Sequence, residues 1–250
     1  SLTLRGNGPE GEPGVAENLA GYYAHITALD DCVGELLKTI GECGIADETI
    51  FVFTSDHGDM MGSRGQWKKQ RPWDESILVP MLLRYPAMFG MAGRAVASPI
   101  NSVDLMPTLL GLSGLNVPGT VEGVDFTPYI RGEAEAPNGG AAIIECPAPF
   151  GQWTRRQHDG REFRGLRTER YTYTRDLSGP WLLYDNEADP FQRDNRVDDP
   201  EMSELRDRLD EQLQRELAAR GDEFLPAEAY IERFGYEVNE DLTIGFENMV

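Results

Sequence analysis

Asp56, His57 and Gly58 follow closely on the apolar run Ile50-Phe51-Val52-Phe53-Thr54, with only Ser55 between. A carboxylate oxygen and an imidazole nitrogen at consecutive positions can both turn toward one cation if the backbone bends behind them. Hard cations take about six oxygen ligands, so this pair would need donors from elsewhere. A satisfied turn explains the same tripeptide equally well. The next loop carries complementary chemistry: Arg64, Lys68, Lys69 and Arg71 place four cations in eight residues of a chain whose formal charge is −20. A cation beside Lys and Arg binds and polarises a tetrahedral oxyanion such as sulfate or phosphate. A solvated basic loop that neutralises nearby acids accounts for the charges as well.

These residues need elements to position them. Leu19, Tyr22, Tyr23, Ile26, Leu29, Val33, Leu36, Leu37 and Ile40 recur at three- and four-residue steps and predict a helix ending near Gly41 to Gly44. Cys32 falls on its apolar side and is expected to fill core, and His25 lies within the same pattern as a core or edge residue. Ile50–Thr54 reads as a buried strand of the parallel type, the kind whose carboxyl end offers a ligand crevice. Ile77–Arg84 reads as a second buried run, and Val103–Leu112 as a short helix with Pro107 early in it. Beyond about Glu133 the pattern changes to short strands: Ala141–Glu145, Gly165–Leu166, Tyr171–Arg175 and Trp181–Tyr184. Met202, Leu205, Leu209, Leu213 and Leu217 then form one amphipathic stripe, closed by Gly221 and expected to cover that small sheet.

Composition bounds the partners. The 250 residues hold 43 Asp and Glu against 23 Lys and Arg, with 40% hydrophobic positions, enough for a real core. A pI near 4.5 repels phosphate backbones and anionic lipid, so neither nucleic acid nor membrane is an expected partner. The cysteines, Cys32, Cys43 and Cys146, are too few and scattered for a disulfide framework, and none forms a Cys-x-x-Cys pair. No basic-then-apolar leader opens the sequence, and no stretch of about 18 apolar residues occurs.

Thr49 to Pro86, TIFVFTSDHGDMMGSRGQWKKQRPWDESILVPMLLRYP, resembles the segment of type I sulfatases of the alkaline-phosphatase superfamily that reads T-x-x-x-F-T-S-D-H-G-D/E, then G-x-W-x-K, then E-S-x-x-V-P. GYYAHITALDDCVGELL is similar to the helix before that strand, SVDLMPTLLGLSG to the helix after it, and GLRTERYTYTRD with LLYDNEADP to the family's C-terminal sheet. The resemblance covers roughly Asn18 to Tyr236. It implies an α/β fold: the C-terminal part of an alkaline-phosphatase-like α/β sandwich over residues 1–135, then a small antiparallel sheet with one helix over 136–250.

The resemblance implies that Asp56 and His57 are two ligands of a single Ca²⁺ or Mg²⁺, and that Lys69, aligned on G-x-W-x-K, contacts the sulfate ester oxygen. Lys69 is preferred to Lys68 because Pro72, Glu75, Ser76, Val79 and Pro80 then fall in register. Asp59 is expected to be structural or to support the metal ligands, and Trp67 and Trp73 to pack the loop. Arg64 stands where relatives often carry His. The implied substrate is a small-molecule or carbohydrate sulfate ester. His158 and the cluster Arg155, Arg156, Arg161 and Arg164 form a second polar patch, either solvated or touching a sulfated sugar.

The family nucleophile is a formylglycine made from Cys or Ser in a C/S-x-P-x-R motif. No such motif occurs in these 250 residues, and the early Asp-Asp pair that supplies other metal oxygens is missing too. The resemblance is therefore to the C-terminal half of a sulfatase, and this chain alone is expected to have little or no turnover. Two other classes share features with it: a phosphonate or phosphodiester hydrolase with the same Asp-His pair, and a non-catalytic anion-binding or interaction module.

Overall fold

The computed structural model describes residues 14–150, 160–240 and 243–244. It is a mixed α/β structure dividing into two compact units, one of residues 1–69 and 75–95, the other of residues 70–74 and 96–250.

In the first unit, α1 (Val15–Glu42) forms where the apolar steps predict it, and the Glu17 carboxylate accepts from the Gly14 N–H at its start (2.9 Å). None of its residues is buried; Tyr23 is 63% exposed, and Cys32 and His25 are exposed as well. The expectation that Cys32 fills core is thus corrected. A period of 3.6 marks which residues share a face and says nothing about what covers it.

β1 (Phe51–Thr54) runs antiparallel to β2 (Met81–Arg84), with Phe51 opposite Arg84 and Thr54 opposite Met81. The parallel reading of β1 is therefore corrected: an unbroken apolar run reports burial, and strand direction is set by the partner. Burial is also less than expected, since Phe51, Val52 and Phe53 are half-buried and Leu82 is 63% exposed. Between the strands run a one-turn 3₁₀ segment at Ser63–Gly65 and the single-turn α2 (Asp74–Ile77); α3 (Pro86–Phe89) follows β2. Arg84 Nη1 donates to the Ala46 carbonyl (3.0 Å), tying the strand back to the turn after α1.

The second unit begins with a one-turn 3₁₀ segment at Ser102–Asp104 and α4 (Leu105–Leu112), the helix read from sequence, with Pro107 buried in its first turn, where its missing N–H does no harm. Buried Asp104 accepts from the N–H groups of Asn101 (3.0 Å) and Val124 (2.9 Å), and Thr108 Oγ1 accepts from Phe126 N (3.1 Å), so α4 and α5 (Thr127–Arg131) are pinned together.

The sheet of this unit is antiparallel in the order β3 (Ala141–Cys146), β4 (Phe163–Thr168), β5 (Tyr171–Asp176) and β6 (Gly179–Asp185). α6 (Ser203–Arg220) lays Leu209, Leu213 and Leu217 on Leu166, Tyr173 and Leu183, forming the core. The amphipathic stripe is the sheet's packing partner, as expected. It stops at Gly221, whose φ of 68° is the left-handed cap glycine accepts without a Cβ clash. α7 (Ala227–Phe234) follows, starting where the Ala227 N–H donates to buried Glu162 (2.8 Å). No described helix is long and apolar enough to cross a membrane.

Candidate active site

β1 delivers Asp56 and His57 at its carboxyl end, and the local hydrogen bonds fix how they face. The Gly58 carbonyl lies 2.7 Å from His57 Nδ1. A carbonyl only accepts, so Nδ1 carries a proton, and in the neutral ring the lone pair falls on Nε2. Nε2 stands 3.5 Å from Asp56 Oδ2, while the other carboxylate oxygen, Oδ1, accepts from the His57 N–H (2.9 Å) and Ser55 Oγ (3.3 Å). One oxygen is thus occupied in holding the turn, and the other converges with the imidazole lone pair. Desolvation would raise the Asp56 carboxyl; attraction to the imidazolium form of the His57 ring, the His57 N–H and Ser55 outweigh it and hold the group below the ordinary carboxylate range. The Asp56 side chain is 83% exposed, open to an incoming ion.

Gly58 is required by close approach. A Cβ built there would stand 2.1 Å from the Glu75 carbonyl oxygen, and the Gly58 N–H donates to the Ser76 carbonyl (2.9 Å). The strand end therefore rests directly on the backbone of the E-S segment, which explains why these two motifs sit in one fold unit. Ser63 Oγ donates to the Glu75 carboxylate (2.5 Å) and adds a side-chain tie between the basic loop and the same segment.

The loop itself folds back on the strand end. Asp59 Oδ1 accepts from the N–H groups of Met61 (2.9 Å) and Lys68 (3.0 Å), Met60 N donates to the Lys68 carbonyl (2.9 Å), and Gly62 N to the Gln66 carbonyl (2.8 Å). Asp59 is thus the staple of the loop. Met61, Arg64, Lys68 and Gln70 all hold left-handed φ between 47° and 75°. Each such non-glycine residue costs about 1–3 kcal/mol and persists only where its surroundings over-determine it. Lys69, half-buried, sits between two of them.

The four cations of the loop do not form one solvated group. Lys68 and Arg64 are exposed, Lys69 is half-buried, and Arg71 is 3% exposed in the second unit. Of the second basic patch, Arg155, Arg156 and His158 lie outside the described residues. Arg164 is buried against the Asp222 carboxylate, through Nε (2.5 Å) and Nη2 (3.2 Å), and Arg161 pairs with Asp176 (2.9 Å) while lying over the Trp181 ring (4.5 Å). A solvated or sugar-facing role for Arg164 is corrected: its partner lies 58 residues away and no local pattern announces it. Trp73 packs, as expected, at 8% exposure, its indole N–H donating to Tyr184 Oη (3.2 Å).

Among the described residues, no group of three or more acidic, histidine or cysteine side chains is placed to hold a metal ion. What the described chain offers is two neighbouring donor atoms, a carboxylate oxygen and an imidazole nitrogen. The sequence does not announce Gly58's contact, the Ser63–Glu75 bond or the anchorage of Asp74; the E-S-x-x-V-P signature hints at the first two by placing Glu75 and Ser76 in a fixed register with the loop.

Comparison with known proteins places these motifs. The sulfatase family model matches residues 5–115, and the model of the N-sulphoglucosamine sulphohydrolase C-terminal region matches residues 62–219. An ulvan-active sulfatase of Formosa agariphila is 40% identical over 240 residues, 94% of this chain and 46% of that protein. A solved structure in complex with its substrate D-glucosamine-2-N,6-O-disulfate superposes with a TM-score of 0.65 at 26% identity, covering 81% of this chain and 40% of that one. The phosphonate monoester hydrolase of Agrobacterium radiobacter superposes with a TM-score of 0.66 at 29% identity, covering 80% and 40%. The chain spans less than half the length of each of these three relatives. With the strand-end Asp-His-Gly, the stapled basic loop and the C-terminal sheet all inside the matched residues, the chain belongs to the sulfatase family.

Proposed function

We propose that this chain supplies part of the active site of a sulfuric ester hydrolase acting on sulfated carbohydrates. The observation supporting this most directly is the convergence of Asp56 Oδ2 and His57 Nε2 at 3.5 Å, with the ring's other nitrogen held by a carbonyl. The Asp56 carboxylate oxygen is the ligand type that Ca²⁺ or Mg²⁺ takes, the imidazole nitrogen is a less usual one, and the remaining oxygens would have to come from outside the described residues. Such an ion would supply positive charge beside the ester oxygens, where charge develops in the reaction. Asp56 and His57 would hold the ion, and Asp59 keeps the basic loop folded. Lys69 donates from its ammonium to the ester oxygen and stabilises the charge left on the departing alcohol. The formylglycine that the family uses as nucleophile has no motif within this sequence, so this chain's own contribution is charge and position.

Relatives named for ulvan and for D-glucosamine-2-N,6-O-disulfate favour a sulfated sugar. The test is hydrolysis by the full-length gene product of a sulfated monosaccharide and 4-nitrophenyl sulfate, with Lys69→Ala, Asp56→Asn and His57→Ala beside the wild type. Lys69→Ala should lower kcat/KM roughly 10²- to 10³-fold, the usual cost of removing one charge-stabilising donor. Activity of Lys69→Ala within three-fold of wild type would remove Lys69 from the chemistry. A second reading, phosphonate monoester hydrolysis, is favoured by the 29% identical neighbour that carries that name. Faster turnover of a phenyl phosphonate monoester than of any sulfate ester would select it.

A further inference from the structure

The five residues that follow Lys69 are held, nearly one by one, in the second unit. The Gln70 side-chain amide exchanges hydrogen bonds with the Phe150 backbone, donating to its carbonyl (3.3 Å) and accepting from its N–H (3.1 Å). Arg71, Pro72 and Trp73 are buried, and the Trp73 ring meets the Trp181 edge at 6.1 Å. Asp74 is the most completely bound. Its carboxylate takes Arg167 Nε (3.0 Å) and Nη2 (2.9 Å) in the two-pronged geometry that fixes orientation as well as distance, and Gln192 Nε2 adds a third bond (3.1 Å). The Asp74 N–H returns to Gln192 Oε1 (3.0 Å). Gln192 is itself fully enclosed at left-handed φ of 51°, bonded to Thr172 Oγ1 (3.0 Å) and Asn186 Oδ1 (2.9 Å).

We infer that Asp74, Arg167 and Gln192 are positioning residues for Lys69: they hold the segment 70–74 in one conformation, and with it the left-handed backbone at Gln70, the residue directly after Lys69, whose other neighbour, Lys68, is held by Asp59. Resting on the sulfatase reading above, this assigns the C-terminal sheet a part in the reaction through the chain segment it grips. A network used only for stability has no need of this form, because buried ion pairs are commonly replaceable by apolar packing without loss. A two-pronged pair backed by a buried glutamine in a strained conformation determines a single geometry, and misplacement of a catalytic group by about 1 Å is enough to cost roughly a hundred-fold in rate.

The experiment has two arms. In the first, hydrogen–deuterium exchange is followed in the protein and in its Asp74→Asn, Arg167→Lys and Gln192→Glu variants. Arg170→Met serves as control, since it breaks the Arg170–Asp185 pair of the same sheet and touches no residue of 70–74. Protection of the amides at 69–74 should fall at least ten-fold in the three variants and stay unchanged in Arg170→Met. Unchanged protection in the variants, or equal loosening in the control, overturns the inference. In the second arm, kcat and KM of the full-length gene product are measured on sulfate esters of good and poor leaving groups. Arg167→Lys should lower kcat ten- to a hundred-fold with KM within two-fold, more so for the poor leaving group, and should cost nothing further in the Lys69→Ala background. The same factor in both backgrounds overturns it. If no sulfate ester is turned over at all, the functional reading fails, and the exchange arm by itself decides whether the network sets the conformation around Lys69.

Discussion

Replacing Gly58 with alanine tests whether the strand end is fixed by backbone contact. The added Cβ would stand 2.1 Å from the Glu75 carbonyl oxygen and 3.0 Å from its carbon, both backbone atoms. Ordinary C···O contacts begin near about 3.3 Å, so one segment must retreat by more than about 1 Å. Overpacking of this kind costs about 1–3 kcal/mol, and loss of the Gly58–Ser76 hydrogen bond about 1 kcal/mol more. At about 2–4 °C per kcal/mol for a chain of this size, a loss near 3 kcal/mol lowers Tm by roughly 6–12 °C. The Gly58 carbonyl also holds His57 Nδ1, so at the ion site proposed for Asp56 and His57 the variant should bind Ca²⁺ about ten-fold or more weakly than wild type. Scanning calorimetry and calcium titration read the two effects. Gly34→Ala is the control: nothing lies within 4 Å of its Cβ, it sits inside α1, and it should raise stability by about 0.5–1 kcal/mol. A Gly58→Ala variant melting within about 2 °C of wild type, with calcium affinity intact, would refute the reasoning.

Burial and Glu162 push the Cys146 thiol up to about 12. Of the three cysteines, therefore, Cys32 and Cys43 should react with a thiol reagent at pH 8 in the native protein and Cys146 only after unfolding; a third fast thiol would contradict its burial. Asp222 is subject to burial, which alone would raise its carboxyl, yet the Arg164 guanidinium and the Phe224 N–H outweigh it and hold the group below its ordinary value of 3.8. A depressed carboxyl adds stability at pH above that unfolded value and loses it as pH falls through the lower, folded one. Asp222→Asn should therefore destabilise the protein at pH 7 and flatten the fall of Tm below pH 4; an unchanged acid limb would contradict the pairing. Tyr173 is fully buried with its hydroxyl on Asp210 (2.8 Å), which Arg175 also holds (2.9 Å). Tyr173→Phe should cost about 1–2 kcal/mol by urea unfolding, since the acceptor keeps a second donor.

The parts of this fold that sequence exposes are those written in local spacing. The stripe from Leu19 to Ile40 gave α1, the leucines at four-residue steps gave α6 and its packing on the sheet, and S-D-H-G located the end of β1. What escaped depends on partners far along the chain. The direction of β1 is decided by β2, Arg164 is buried because Asp222 meets it, and Asp74 is bound by Gln192 across 118 residues. Cys32 shows the same limit from another side, since its place on an apolar stripe was legible and the exposure of that stripe was not. For the candidate site, the residue types and their order were readable, whereas the tautomer of His57 and the contact at Gly58 are matters of geometry.

The run of left-handed residues at Met61, Arg64, Lys68 and Gln70 inverts the usual rules of protein engineering along this stretch. Glycine and asparagine, which weaken most elements, are here the replacements that relieve strain, because glycine has no Cβ to meet the steric barrier and asparagine offsets it with local hydrogen bonds from its short amide. The extra freedom glycine gives the unfolded chain offsets part of the gain, by about 0.4–1 kcal/mol. A selection for heat tolerance alone would therefore enrich such substitutions in the loop. At Lys68 and Gln70 those same winners would soften the backbone on either side of Lys69, so thermal hardening and turnover would be drawn from one shared reserve.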